Sequence, residues 1–151
     1  TDLALEMEWK EKIKRWCAKG ERSLHETNEK MCRLGATREE AADYLKTLEN
    51  EGFVSEQRFV SAFIHDHLVL KNWGPLKMRF ALKKKGCSSS LIDSELGKCS
   101  DLAIDKALKN TISTRFSLYP DEHKTNRERL IRYLQNRGYT LDNILTALNR
   151  L

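Results

Sequence analysis

The sequence predicts an all-α protein, an elongated and curved solenoid of three tandem three-helix repeats, nine helices in all. Three observations predict it. Gly35, Gly86 and Gly138 stand 51 and 52 residues apart, and two residues after each comes a hydroxyl side chain, Thr37, Ser88 and Thr140. Glycine takes the left-handed conformation that ends one helix, and Ser or Thr two residues on can cap the start of the next. Apolar residues then keep register with these glycines across all three copies. Four before each are Met31, Leu82 and Leu134. Twenty-two before are Ile13, Ile64 and Phe116, and twenty-six before are Trp9, Val60 and Ile112. Six after are Ala41, Ile92 and Ile144, and ten after are Leu45, Leu96 and Leu148. Such register marks a structural repeat. Lastly, no stretch alternates apolar and polar residues long enough to demand a strand.

The repeats divide the chain at residues 1–54, 55–98 and 99–151. In the first, helices are expected over Leu3–Lys19, Leu24–Leu34 and Arg38–Asn50. Ser23 with Glu26 and Thr37 with Glu40 form capping boxes at the second and third starts. In the second, the expected spans are Glu56–Lys71, Pro75–Lys85 and Ser89–Gly97, with Ser55 as a cap and Pro75 at a first helical position. In the third they are Asp101–Ser117, Asp121–Arg137 and Leu141–Arg150, capped by Ser100 and Thr140. The first helix of each unit carries the widest apolar face: Trp9, Ile13 and Trp16; Phe59, Phe63 and Ile64; Leu108, Ile112 and Phe116. Their helical spacing marks them as core. Stacked units of this kind make mostly nearest-neighbour contacts.

At 151 residues with 40% hydrophobic and 32% charged content, the chain has the composition of a helix-rich globular protein. No apolar run approaches the roughly 18 residues of a membrane span. The acidic, amphipathic first fourteen residues do not read as a secretory signal. Cys17, Cys32, Cys87 and Cys99 lack metal-type spacing, so reduced thiols and a cytoplasmic location are expected. The net charge of +5 is unevenly spread. Residues 1–54 carry ten Lys/Arg against twelve Asp/Glu, residues 55–98 eight against four, and residues 99–151 nine against six. A basic C-terminal two-thirds suits a polyanionic partner or an acidic protein surface.

Two groups of cations are the candidate binding residues. Lys77, Arg79, Lys83, Lys84 and Lys85 lie on the second helix of the second unit, with no acid between Lys71 and Asp93. Lys124, Arg127, Arg129, Arg132 and Arg137 lie on the matching helix of the third. Arg127 has the same offset from Gly138 as Pro75 from Gly86, and Arg137 the same as Lys85. Two corresponding basic helices suggest one stripe along the solenoid, able to meet phosphate or carboxylate; ordinary solvated helix surface is the alternative. Arg58 reads as structural, paired with Glu51 or Glu56. His65-Asp66-His67 is a poor metal site, because residues two apart on a helix diverge by about 200°. Asp105 and Lys109 form an ordinary i,i+4 pair. With no glycine loop, nucleophile–base set or buried acid pair, neither an enzyme nor a cofactor site is expected.

Two motifs resemble those of the RecX family. Phe53-Val54-Ser55-Glu56-Gln57-Arg58-Phe59-Val60 is similar to that family's aromatic-aliphatic-Asp-Asp-x-Arg-Phe-Ala signature. Gly74-Pro75-Leu76-Lys77-Met78-Arg79-Phe80-Ala81-Leu82-Lys83-Lys84-Lys85-Gly86 resembles Gly-Pro-x-x-Ile-x-x-x-Leu-x-x-Lys-Gly. Glu21-Arg22-Ser23 resembles the family's Glu-x-Ser entry to the second helix. Ser55 departs from the pattern by replacing the first acid, and the first unit is acidic where many relatives are basic. The resemblance implies a regulator that binds the RecA recombinase, lodging in the groove of its filament on single-stranded DNA and limiting its activity. A monomer that avoids membranes is expected, with direct contact to single-stranded DNA left open. A stand-alone nucleic-acid-binding module and a scaffold for acidic peptides are the competing readings.

Overall fold

The structure, a computed structural model, describes residues 3–151. Its regular elements are ten α-helices and one π-helical turn, with no strand among the described residues. Helices α1 (Leu3–Ala18), α2 (Leu24–Arg33) and α3 (Arg38–Asn50) come first. They are followed by α4 (Glu56–His65), a π turn (Asp66–Leu70), α5 (Pro75–Lys84) and α6 (Ser89–Leu96). The remaining helices are α7 (Asp101–Leu118), α8 (Glu122–Thr125), α9 (Arg127–Asn136) and α10 (Leu141–Asn149). The solvent-accessible surface is 9376 Å², against roughly 7,900 Å² for a compact monomer of this mass. The array is therefore elongated.

Local chemistry sets most helix ends where the sequence puts them. Gly35, Gly86 and Gly138 have φ of 118°, 85° and 103°, the left-handed region that penalises a Cβ. Thr37, Ser88 and Thr140 each accept a hydrogen bond from the backbone N–H three residues on. Both capping boxes form, Ser23 with Glu26 and Thr37 with Glu40. Ser55 and Ser100 cap α4 and α7, and Pro75 opens α5.

Two helices differ from expectation, and the first of them is why the count is ten and not nine. The span Asp121–Arg137 is broken at Asn126, whose backbone turns to φ −150° and ψ 66°. The Asn126 side chain then accepts the Arg129 N–H at 3.3 Å. Asparagine favours such caps because its amide oxygen competes with the helix for the same donor. The span Glu56–Lys71 closes in the π turn, and Asn72 follows at φ 55°. That left-handed residue aims its carbonyl at two distant donors, the Tyr139 hydroxyl in the loop after α9 at 2.7 Å and the Thr111 hydroxyl of α7 at 3.3 Å. Local propensity cannot announce a bend held by residues 39 and 67 positions away.

Burial follows the repeat columns. Trp9, Val60 and Ile112, then Met31, Leu82 and Leu134, then Ala41, Ile92 and Ile144 are all buried. In the column ten residues past each glycine, only Leu148 is fully buried. Leu45 and Leu96 are half-buried, and the longer α3 uses Leu48 instead. The buried residues form two cores. Trp9, Ile13, Met31, Ala41 and Leu48 belong to one inside α1–α3. A larger core runs without interruption from Phe59 in α4 to Leu148 in α10.

Candidate partner-binding site

The second helices of the three units follow one another end to end. At the end of α9 the carbonyls of Arg137 and Gly138 accept the N–H groups of Gly74 and Leu76, at 2.7 and 3.0 Å. Orphan donors at the start of α5 are thus satisfied by orphan acceptors at the end of α9, and the two helix dipoles align head to tail. The contact is so close that a Cβ on Gly138 would lie 2.6 Å from the Lys77 backbone nitrogen, and one on Gly74 2.4 Å from the Gly138 carbonyl. At its other end, α5 meets the first turn of α2, where a Cβ on Gly86 would touch His25 at 3.4 Å. Each of the three helices has ten residues, so the line α9–α5–α2 extends roughly 45 Å at 1.5 Å per residue.

The ten candidate cations divide on this line. Lys83, Lys84, Lys85, Lys124 and Arg132 are exposed and lie in no ion pair with a described residue. Four of the five arginines have partners within the chain. Arg79 pairs with Asp93 of α6. Arg127 donates to the Asn149 side chain at 3.1 Å. Arg129 reaches Glu122 at 3.4 Å, and Arg137 turns in to donate to the Lys71 carbonyl. Lys77 is half-buried, its ammonium 4.4 Å from the centre of the Trp73 ring. Burial, and then the nearby Arg137 guanidinium, hold the Lys77 pKa below its ordinary value.

Two features of this region were not legible in the sequence. Lys71, Lys77 and Arg137 converge at the α9–α5 junction around Trp73, with the Lys71 ammonium 6.0 Å from the ring centre. They come from segments up to 66 residues apart, and no local pattern signals the meeting. Near the start of α9, buried Glu122 binds Arg115 through two bonds of 2.8 and 2.9 Å. The Arg115 guanidinium is held between Tyr119 and Tyr133, 4.1 and 4.2 Å from their ring centres. Hydrogen bonding from Arg115 holds the Glu122 carboxyl below the usual range, and the same bond raises the Arg115 pKa.

Three other expectations resolve on contacts. Arg58 is structural, but its partners are Glu21 at 3.0 Å and the Gly52 carbonyl at 2.8 Å, not Glu51 or Glu56. It therefore ties α4 to the loop after α1. His67 stacks on Phe63, with ring centres 3.7 Å apart, and its Nδ1 lies 2.8 Å from the Phe63 carbonyl. Asp105 pairs with Lys109 at 2.9 Å. All four cysteines are free thiols, and burial pushes Cys87 up to about 11. No helix among the described residues is long and apolar enough to cross a membrane.

Comparison with known proteins bears on the same elements. The family described as "RecX, second three-helix domain" matches residues 55–96, the stretch holding α4, the π turn, α5 and α6. The regulatory protein RecX of Pseudomonas tolaasii is 27% identical over 132 residues, covering 87% of this chain and 84% of that protein. This chain is similar to regulatory proteins RecX over most of its length. The regulatory protein RecX of Clostridium tetani is 32% identical over 103 residues, or 66% of this chain and 46% of its own length. In fold, the RecX crystal structure from Lactobacillus salivarius superposes with a TM-score of 0.86, over 99% of this chain and 98% of that one, at 14% identity. The RecX crystal structure thus shares the whole helical array, and the relatives are named as regulatory proteins.

Proposed function

We propose that this chain is a non-enzymatic regulator of homologous recombination and DNA repair that binds the RecA filament on single-stranded DNA and limits its activity. The observation that carries the reading is the end-to-end line α9–α5–α2 in a RecX-like array, with exposed cations on two of its helices. A narrow body with cations along one line fits a long groove between acidic walls. Lys83, Lys84, Lys85 and Arg132 are the residues assigned to contact it, since they stand on the line itself, at α5 and α9, and lie in no ion pair with a described residue. Lys77, Arg79, Lys124, Arg127, Arg129 and Arg137 then contribute to the field or hold the line together. The protein acts from the cytoplasm as a monomer and needs no cofactor.

Titrating the protein into RecA hydrolysing ATP on single-stranded DNA tests the reading. The rate and the filament length should fall with increasing protein, and no change in either would overturn it. Replacing Lys83, Lys84, Lys85 and Arg132 with Glu should leave helicity unchanged, because exposed helix positions tolerate such changes. It should weaken filament binding at least tenfold by anisotropy. Wild-type binding by the variant at both low and high salt would remove the stripe from the interface. The second reading, a stand-alone nucleic-acid-binding module, is favoured by the same unpaired lysines. It requires tight binding to naked single strands that falls steeply with salt.

A further inference from the structure

The outward face of α5 carries more than charge. Leu76 is 51% exposed and Phe80 67% exposed, one helical turn apart and so on one face. The repeat supplies an internal control. The equivalent positions are His25 and Glu29 in α2 and Glu128 and Arg132 in α9, all of them exposed and polar. The fold therefore has no need of apolar side chains there, and only the middle helix of the line has them. Its core is already filled by Met78 and Leu82 on the opposite side, both fully buried. Lys77, Lys83 and Lys84 border the pair, and the Lys84 ammonium lies 5.4 Å from the centre of the Phe80 ring.

We infer that Leu76 and Phe80 are the apolar anchors of a protein-docking surface, received by an apolar pocket with carboxylates on its rim. A paired aliphatic and aromatic anchor ringed by long cationic side chains has the anatomy of an interface centre, where burial supplies affinity and the rim supplies orientation. Single-stranded nucleic acid fits less well. Base stacking needs a free aromatic face, whereas a lysine already lies over Phe80, and Leu76 offers nothing to stack on. The inference rests on the proposed function for the identity of the partner but assigns it to different residues.

The test compares wild type, a Leu76→Ala/Phe80→Ala variant and a Lys83→Gln/Lys84→Gln variant, each with RecA–DNA filaments and with naked single-stranded DNA, at low and high salt. The anchor variant should keep wild-type helicity and thermal midpoint. It should lose at least tenfold in filament affinity at both salt concentrations, and bind naked DNA as wild type does. The lysine variant should lose affinity chiefly at low salt. Wild-type filament binding by the anchor variant overturns the inference while leaving the proposed function in place. An equal loss on naked DNA also overturns it, making the pair a nucleic-acid contact. Failure of the wild-type protein to bind filaments removes the proposed function and this inference together.

Discussion

The two joints of the array are built differently. Between α1–α3 and the rest, the named contacts are one polar bridge, from Arg58 to Glu21 and the Gly52 carbonyl, and the close approach of Gly86 to the His25 side-chain carbons. Between the elements around α5 and those around α9, backbone hydrogen bonds cross the junction, Tyr139 and Thr111 hold the Asn72 carbonyl, and one apolar core spans both sides. An exposed ion pair contributes little and is screened by salt, whereas shared apolar burial scales with area. The second joint should therefore behave as one cooperative block, and the first as a hinge.

Breaking the block should have the largest effect. Gly138→Ala puts a Cβ at positive φ and within 2.6 Å of backbone, so it should cost about 3 kcal/mol or more. Urea unfolding should show that loss in the block containing Tyr139, with Trp9 and its surroundings little changed. Glu122→Gln comes next. It leaves Arg115 with its carboxylate partner gone in a largely buried site, which costs on the order of 3 kcal/mol for a pair of this kind. The same pair gives acid sensitivity. Glu122 titrates below its ordinary value near 4.5, so its stabilisation is complete above that pH and is lost as pH falls through the lower folded value. Thermal midpoints measured from pH 7 to pH 3 should drop for wild type and drop less for Glu122→Gln.

Gly35→Ala sharpens the comparison from the other side. Gly35 shares the left-handed φ, but the nearest atom to an added Cβ is a Leu5 side-chain carbon at 3.7 Å. Only the conformational penalty of about 1 kcal/mol remains. A loss as large as that of Gly138→Ala would show that junction packing is not what separates the two glycines. The smallest effect on stability belongs to Arg58→Ala, below about 1 kcal/mol for an exposed pair. It should nevertheless loosen the hinge. Amide exchange in the loop between α1 and α2, and at the start of α4, should rise while protection within α9 and α10 stays unchanged.

Sequence alone determined the helical class, the three-fold register and nearly every helix boundary. These depend on interactions within a few residues: a left-handed glycine, a hydroxyl cap, an apolar stripe. Signature stretches around Arg58 and Gly74–Gly86 also pointed to the family that the relatives share. The candidate cations were legible as a set, because charge is written in composition. Phe80 could have been flagged as well, since it falls opposite Met78 and Leu82 on the helical wheel.

Tertiary structure decided what each of those residues does. It divided the cations into Arg79, Arg127, Arg129 and Arg137, held by partners inside the chain, and Lys83, Lys84, Lys85, Lys124 and Arg132, left to solvent. It also set α9 against α5 and gave Gly138 and Gly74 a steric role beyond capping. The bend at Asn72 and the Arg115–Glu122 pair arose in the same way. Local rules operate over one or two helical turns, whereas these contacts join residues up to 67 positions apart and form only once the units pack.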